Sequence, residues 1–177
     1  MFQRKPAIVF ILFTLVVLTG CKPIKTVDYV DVERYMGQWY QISAYETFFN
    51  EGLVGVTAKY TLLEDGTVQV YNRGYQGGFD GPIDEILGTA VVVDEKSNSR
   101  LKVSFPGVPD FPFPNYLIVV LDEENYSYAA VTDPMRSTLF VLSRTPQLDE
   151  AVYASILTEL KALKLNTDKL VMTEQMP

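Results

Sequence analysis

The sequence predicts an all-β domain, built as an antiparallel barrel or sandwich, with one helix after the last strand. Two patterns between Trp39 and Ser143 indicate this class: short runs rich in β-branched and aromatic residues, and turn-forming residues between the runs. The third indication is the helical spacing of apolar residues from Pro146 to Leu165. Many evenly spaced short strands with tight turns favour antiparallel architecture over βαβ units.

The N-terminal segment is predicted to be a secretion signal rather than part of the fold. Arg4 and Lys5 precede an apolar run from Ala7 to Leu18. A helix of that length rises roughly 18 Å, which is too short for the ~30 Å hydrocarbon core of a bilayer, and the arrangement is typical of a signal peptide. The small pair Thr19-Gly20 before Cys21 resembles the cleavage box of bacterial lipoproteins.

That resemblance implies processing at Cys21. Residues 1–20 would be removed, Cys21 would carry a diacylglyceryl thioether, and its new amine would be acylated. Two or three acyl chains anchor a protein stably, whereas a single chain binds only marginally. An ordinary signal peptide with a chance cysteine is the alternative, but Cys21 is the only cysteine in the chain. Lys22, rather than an aspartate, follows Cys21, which favours the outer membrane, with the protein facing the periplasm.

The composition excludes several classes of function. The chain of 177 residues has a net charge of −7, which becomes −9 once Arg4 and Lys5 leave with the signal segment. An acidic surface repels phosphate backbones, so we expect no nucleic-acid partner. Histidine is absent, which excludes a Ser-His-Asp triad and a His-ligated zinc. Carboxylate, tyrosine and lysine chemistry remains possible. We predict no catalytic residue, no metal and no cofactor; a monomer and a homodimer both remain open.

The remaining chain is interpreted as a lipidated tether, residues 21–30, and a single domain, residues 31–177, which is long enough for one core. Asp31 is the expected N-cap of a helical turn that runs to Tyr35. Eight strands are predicted after this turn: Trp39–Tyr45, Val54–Leu63, Thr67–Tyr75, Ile83–Val93, Arg100–Phe105, Asn115–Leu121, Tyr126–Thr132 and Thr138–Ser143.

The helix predicted from Pro146 to Leu165 is expected to pack on the outside of a barrel. Thr145 is its expected N-cap, and Pro146 suits the first helical position. Its apolar side chains fall on one stripe: Leu148, Val152, Ile156, Leu160 and Leu163. A short final strand is expected over Leu170–Thr173.

The segment from Phe105 to Pro114 contains four prolines and three phenylalanines. Proline fixes φ and lacks a backbone donor, so this segment cannot be a central strand. We predict a stiff loop that presents apolar rings. The loop folds over an edge of the core, lines the mouth of a ligand site, or contacts a membrane surface.

Three motifs, in order along the chain, resemble the signatures of the lipocalins. Gly37 and Trp39 form a Gly-x-Trp pair at the first strand, Thr132-Asp133-Pro134 matches the turn between the last two strands, and Arg144 follows the final strand. Together with the lipoprotein box, they make the chain similar to the bacterial lipocalins anchored in the outer membrane. The resemblance implies an eight-stranded up-and-down barrel, the lipocalin calyx, with the C-terminal helix packed outside. It also implies that Trp39 closes the bottom of the barrel, with the Arg144 guanidinium stacked on its indole.

Strand parity then predicts the inner wall, because side chains alternate between the two faces of a sheet. Arg144 beneath the barrel would direct Phe140 and Leu142 inward, and Trp39 would place Gln41, Ser43 and Tyr45 inside. The resemblance adds Tyr116 to the inner wall, so that Ile118 and Val120 follow by alternation. Alternation does not decide the direction of Tyr126 and Tyr128. The candidate ligand-binding residues are Tyr45, Val103, Tyr116, Ile118, Tyr128, Phe140 and Leu142.

An eight-stranded barrel has room for one small ligand. The predicted function is therefore that of a lipid-anchored carrier of small hydrophobic molecules, such as fatty acids or lysophospholipids. The family resemblance adds a role in envelope lipid storage, transport or repair. Two alternatives remain open. One is an enzyme of the same fold acting on a lipid or isoprenoid, which needs buried Asp, Glu or Tyr residues with altered protonation around the cavity; a carboxylate in the barrel beside Tyr45 or Tyr116 would favour it. The other is an interaction module whose interior is filled by its own side chains.

Overall fold

The computed structural model describes residues 23–110 and 112–176. The predicted signal segment and the predicted acylation site at Cys21 lie outside the described residues. In chain order the elements are α1 (Val32–Tyr35), β1 (Gly37–Tyr45), β2 (Leu53–Leu62), β3 (Val68–Gln76), β4 (Ile83–Val92), β5 (Arg100–Ser104), β6 (Tyr116–Leu121), β7 (Tyr128–Thr132), β8 (Leu139–Ser143), α2 (Glu150–Ala162), a 3-10 turn (Thr167–Lys169) and β9 (Leu170–Met172).

The first eight strands close into a barrel. Neighbouring strands from β2 to β8 pair antiparallel in sequence order, and β1 closes the ring by pairing with both β8 and β2. The upper part of β1 also pairs with β9 from outside the ring, at Ser43–Tyr45. The eight-stranded up-and-down barrel, the external helix and the short final strand predicted from the sequence are confirmed.

The two ends of the barrel differ in what covers them. Helix α1 lies at the end where β1 begins and β8 ends, and its Tyr35 is buried there. We call this the closed end. Successive antiparallel strands alternate in direction, so the connections at the opposite end are residues 46–52, 77–82, 105–115 and 133–138. We call these four segments the open-end loops.

Two apolar clusters lie on the two faces of the sheet. One fills the lower interior of the barrel and includes Trp39, Val68, Ile118 and Val131. The other lies between the outer face and α2, where Ile156 and Leu160 are fully buried. Burial of this outer stripe, at about 25 cal/mol per Å² of apolar surface, fixes the helix against the barrel.

Helix α2 begins later than the sequence predicts. Its N-cap is Asp149, whose carboxylate accepts hydrogen bonds from the amides of Ala151 and Val152. The Thr145 hydroxyl instead donates to the Gln147 carbonyl, which holds the preceding residues in a turn. The prediction of a helix start at Pro146 is wrong because the aspartate supplies a stronger cap three residues later.

Two irregularities in the ladders change the inner wall. The pairing of β1 with β8 shifts between Gln41 and Ser43, and that of β6 with β7 shifts between Ile118 and Val120. Such a shift inserts an extra residue on one strand and reverses the alternation beyond it. The outward placement of Tyr45 and Val120, described below, follows from these shifts.

Strand β7 also starts later than predicted. Tyr126 has a left-handed backbone conformation, with φ of 56°, so it belongs to the closed-end turn before the strand. Its side chain is buried, and its hydroxyl oxygen accepts a hydrogen bond from the Asp31 amide. Tyr126 therefore ties the start of α1 to the closed end of the barrel.

Candidate functional site

A cation–aromatic pair closes the bottom of the barrel. The guanidinium carbon of Arg144 lies 3.8 Å from the centre of the Trp39 ring, which is the arrangement implied by the family resemblance. Trp39 is fully buried, and its indole N–H donates to the Tyr35 carbonyl at 2.9 Å. A desolvated contact of this kind contributes about 2 kcal/mol.

Arg144 also ties several backbone segments together at the closed end. Its guanidinium donates to the carbonyls of Gln38 at 3.0 Å and Arg34 at 2.7 Å, and its Nε donates to the Tyr126 carbonyl at 3.2 Å. Gly37 has a φ of 96°, and a Cβ at this position would lie 3.3 Å from Nη1 of Arg144. Glycine is therefore required both by its backbone conformation and by the close approach of the guanidinium.

Three tyrosines form a hydrogen-bonded chain just above this plug. The Tyr116 hydroxyl lies 3.0 Å from the hydroxyls of both Tyr35 and Tyr60. Burial raises the pKa of Tyr116 well above its usual value and raises that of Tyr60 to about 12. Burial also raises the pKa of Tyr35. All three tyrosine hydroxyls are therefore protonated and neutral at physiological pH. The two hydrogen bonds between them use two of the three hydroxyl protons.

The space beside these tyrosines is small. A cavity of about 20 Å³ is lined by Tyr35, Met36, Tyr60, Val68, Leu101, Val103 and Tyr116. A single water molecule needs roughly 10–15 Å³ measured in this way. The closed half of the barrel is therefore filled by side chains. A bound lipid chain must lie in the open half above it.

The open half of the barrel is accessible to solvent from within. Phe140 belongs to the interior cluster and is only partly buried, although its neighbours Leu139 and Val141, on the outer face, are completely buried. Since α2 covers the outside of this strand, the exposed part of Phe140 faces the lumen. Phe105 is another partly buried member of the interior cluster. Phe105 and Phe140 thus present partly exposed apolar surface to the upper lumen.

Gly88 makes room for one of these rings. A Cβ at Gly88 would lie 2.5 Å from Cδ1 of Phe105, which is closer than side-chain atoms approach each other. Phe105 therefore lies flat over the β4 backbone instead of crossing the lumen. The prolines that follow Phe105 belong to an open-end loop, so the aromatic segment predicted to be stiff starts at the wall and continues to the rim.

One interior polar group has no partner. Asn72 pairs with Ala58 and Ile86 in the ladders, and Ala58 belongs to the interior cluster, so Asn72 faces the lumen. Its Oδ1 is buried and accepts no hydrogen bond within the protein. An unsatisfied buried acceptor costs about 1–3 kcal/mol. A guest that carries a hydrogen-bond donor would remove this cost.

The predicted wall residues divide between the two faces of the barrel. Val103, Tyr116, Ile118, Phe140 and Leu142 all lie in or against the interior cluster. Tyr45 and Tyr128 lie against the outer cluster beneath α2 instead. The Tyr45 hydroxyl donates to the Asn166 carbonyl at 2.8 Å, so its predicted inward position is wrong.

Ser43 and Val120 are outward as well. The Tyr153 hydroxyl of α2 donates to Oγ of Ser43 at 2.8 Å, and Val120 belongs to the outer cluster. Tyr128 pairs with Ser143, which follows the inward Leu142 and therefore faces outward. Paired residues share a face, so Tyr128 faces outward, a direction that alternation alone did not decide. These four outward residues fasten the helix to the barrel.

Thr132 and Asp133 organise an open-end loop. The Asp133 carboxylate accepts from the amide and hydroxyl of Thr138 at 2.6 and 2.8 Å and from the Met135 amide at 2.7 Å. Burial opposes ionisation of Asp133, but these hydrogen bonds outweigh it and hold its pKa below the usual range. The Thr132 hydroxyl donates to the Thr138 carbonyl at 2.6 Å. The pair stabilises the rim of the barrel.

A larger groove lies on the outside of the barrel. It has a volume of about 330 Å³, and its walls come from β1, β2, β3 and the C-terminal residues. Tyr40, Tyr71, Arg73 and Gln175 are among the residues that line it. A bound small molecule could therefore occupy either the lumen or this external groove, and an experiment must distinguish the two.

Comparison with known proteins identifies the class of fold and site. The profile of the lipocalin-like domain matches residues 30–175, and the chain belongs to the lipocalin family. Outer membrane lipoprotein Blc of Vibrio cholerae is 34% identical over 172 residues, covering 94% of this chain and 98% of the relative. Temperature-induced lipocalin-1 of Arabidopsis thaliana is 34% identical over 163 residues, covering 89% and 86%.

A solved structure supports the fold independently. Insecticyanin from the tobacco hornworm Manduca sexta superimposes with a TM-score of 0.70 at 15% identity, covering 89% of this chain and 87% of that one. Within the described part of the chain, no helix is long and apolar enough to cross a membrane. The same residues contain no cluster of three or more His, Cys, Asp or Glu side chains suited to a metal ion.

Proposed function

We propose that this protein is a lipid-anchored carrier of the outer membrane that faces the periplasm and reversibly binds one fatty acid or lysophospholipid. The observation that carries the proposal is the apolar, solvent-accessible upper lumen around Phe140, above a plug of Trp39 and Arg144. Transfer of a hydrocarbon chain from water to such a wall contributes about 25 cal/mol of favourable free energy per Å² of apolar surface buried. Similarity to outer membrane lipoproteins supports the proposed location.

Asn72 favours a ligand with a hydrogen-bond donor. Its buried Oδ1 lacks a partner within the protein. The glycerol hydroxyl of a lysophospholipid supplies such a donor, whereas the ionised carboxylate of a fatty acid only accepts hydrogen bonds. The amide selects among ligands by hydrogen bonding, whereas the apolar wall supplies most of the affinity.

The proposed cycle has no chemical step. A ligand enters through the open end, loses its hydration on the lumen wall, and leaves when a membrane or partner binds it more tightly. An enzyme on this fold would need buried Asp, Glu or Tyr residues with altered protonation around the cavity, and a carboxylate beside the Tyr116 hydroxyl would favour that alternative. That hydroxyl instead bonds two other neutral tyrosines. The resemblance to the bacterial lipocalins of the outer membrane adds the proposed biological role, which is storage, transport or repair of envelope lipids.

Native mass spectrometry tests this proposal. The sample is residues 21–177 with Cys21→Ser, which retains every hydrogen bond described here. A long-chain fatty acid and a lysophospholipid are expected to bind at one molecule per chain and to compete with each other. Butanoate, which has the same carboxylate without the long chain, serves as the control and should not bind. The absence of any complex with either lipid would refute the carrier proposal.

A further inference from the structure

The external groove on the outer wall of the barrel is a second concave site, separate from the lumen. Its volume of about 330 Å³ is large enough for a small organic molecule. In the ladder of β2 and β3, Arg73 pairs with Thr57 and follows Asn72, which faces the lumen. Arg73 therefore faces outward, and the wall formed by β2 and β3 separates the groove from the proposed lipid site.

Strand register gives the groove a floor of small residues between long side chains. Tyr40 pairs with Thr57, and Thr57 pairs in turn with Arg73. The short side chain of Thr57 thus lies between a tyrosine and an arginine on the outer face. Gly55, further along β2, also lines the groove. The result is a depression bounded by long aromatic and polar side chains.

The C-terminal residues close one side of the groove. The Gly55 amide donates to the Glu174 carbonyl at 2.7 Å. The side-chain amide of Gln175 donates to the carbonyls of Gln41 and Val56 at 2.8 and 2.9 Å. These bonds fasten the chain end across β1 and β2, beyond the last residues that the two strands pair with each other. Hydrogen bonds therefore hold this side of the groove in place.

The charged residues that line the groove are both basic. They are Lys59 and Arg73, and the described lining residues include no aspartate or glutamate. Lys59 pairs with Tyr71, two residues before Arg73, so the two cations are diagonal neighbours on the outer face. The whole chain has the opposite balance, with 22 acidic residues against 15 basic ones. The groove is therefore a basic site on an acidic protein.

Neither cation is paired with a neighbouring carboxylate. Glu85 lies opposite Arg73 in the ladder, but its carboxylate accepts a hydrogen bond from the Tyr71 hydroxyl at 2.5 Å. Glu174, in the C-terminal segment, is exposed. Among the described residues, neither Lys59 nor Arg73 forms an ion pair. Both positive charges are therefore available to a ligand.

The guanidinium of Arg73 also has unused hydrogen-bond donors. Its Nη2 donates to the Tyr75 hydroxyl at 3.1 Å, and its central carbon lies 5.2 Å from the centre of that ring. Its Nε is buried and has no acceptor within the described part of the chain. A guanidinium has five N–H donors in a fixed fork, which matches the oxygens of a phosphate group. A phosphoryl group would satisfy donors that the protein leaves without partners.

We propose that the external groove binds a phosphate monoester, with the phosphoryl group between Lys59 and Arg73. Such a group carries a charge of about −1.5 to −2 at pH 7 and three acceptor oxygens, which suits two unpaired cations. The rings of Tyr40 and Tyr75 line the groove beside this position and contact the organic part of the ligand. The proposal does not depend on the proposed lipid carrier function, because the groove and the lumen lie on opposite faces of the sheet.

A titration with glycerol 3-phosphate, followed by ¹H–¹⁵N NMR of the non-acylated chain, tests the proposal. One molecule is expected to bind per chain and to shift the amide signals of β2 and β3, whereas glycerol should shift none. Lys59→Gln with Arg73→Gln should weaken binding by about tenfold or more, because both charges are lost. The matched control is Lys96→Gln with Lys161→Gln, which changes the net charge equally at two exposed positions. The control should bind like the parent chain.

Thr57→Phe distinguishes a shaped site from a region of positive charge. The variant retains both cations but fills the floor of the groove, so binding should again weaken by about tenfold. Circular dichroism checks that each variant folds. Lys59→Gln alone changes an exposed side chain and should also weaken binding, which keeps the test decisive if the double variant does not fold.

The phosphate monoester can be free in solution or belong to a lipid head group. Titration with glycerol 3-phosphate tests the first source, and sedimentation with phosphatidate-containing vesicles tests the second, with phosphatidylcholine vesicles as the control. Binding to either probe that the cation double variant loses supports the proposal. Failure of both probes, or equal binding by the parent chain and the double variant, would overturn it. Fatty-acid uptake by the double variant should be unchanged, so the groove and the lumen are tested separately.

Discussion

Replacement of Trp39 by alanine is expected to destabilise the protein by about 3–5 kcal/mol, the range for deleting a large buried aromatic side chain. Trp39 is fully buried, and its indole lies beneath the Arg144 guanidinium and bonds the Tyr35 carbonyl. The variant removes the packing, the cation–π contact and one hydrogen bond together. It also leaves a cavity at the closed end of the barrel.

Urea unfolding followed by circular dichroism measures this effect. Fluorescence cannot serve, because Trp39 is the only tryptophan in the chain. Trp39→Phe keeps an aromatic ring and should lose less stability, and Tyr29→Ala, at a position 55% exposed, should change it by no more than about 0.5 kcal/mol. A loss below about 1 kcal/mol for the alanine variant would contradict the structural role assigned to Trp39.

Replacement of Phe140 by aspartate should abolish lipid uptake while the barrel still folds. Phe140 lies on the wetted upper wall of the lumen, so an aspartate there can remain hydrated in the empty protein. A bound hydrocarbon chain would strip that water from the carboxylate, at a cost of several kcal/mol. The affinity for a long-chain fatty acid is therefore expected to fall more than about tenfold.

Titration of a fluorescent fatty acid measures the change, and circular dichroism checks the fold. Leu87→Asp places the same charge on the outer wall of the barrel and should leave the affinity unchanged. Phe140→Leu keeps the wall apolar and should retain most of the affinity for the fatty acid. Unchanged affinity in a folded aspartate variant would mean that lipid does not occupy the lumen.

The sequence predicted the architecture well because the relevant signals are local. Short apolar runs and turn residues marked the eight strands, and a helical stripe marked α2, whose Ile156 and Leu160 are fully buried. The predicted ends of helices and strands were wrong where a capping side chain or a backbone angle sets the boundary. Asp149 starts the helix in place of Pro146, and a positive φ at Tyr126 delays β7.

The inner wall was predicted only as far as strand alternation continues without interruption. Val103, Phe140 and Leu142 obey it, whereas Tyr45 and Val120 lie beyond the two register shifts. A register shift depends on how two strands pair, and neither strand carries a signal for it on its own. For this reason, single-strand parity could not place those side chains.

Two tyrosines of the lower lumen were missed by the sequence reasoning. Tyr35 lies in the short α1, whose packing depends on the closed barrel. Tyr60 did carry a signal, because Ala58, Tyr60 and Leu62 alternate with the polar Lys59 and Thr61 in β2. That alternation, applied to β2, would have placed Tyr60 inside. The hydrogen bonds to Tyr116 join residues far apart in sequence, so only the fold reveals them.

The most direct test is to locate a bound lipid in a crystal of residues 21–177 with Cys21→Ser. A fatty acid with a bromine at its chain end provides an anomalous signal. We predict this signal inside the barrel, between Tyr116 and Phe140, with the rest of the ligand toward the open end. A signal in the external groove beside Tyr71 and Arg73, with an empty lumen, would contradict the account.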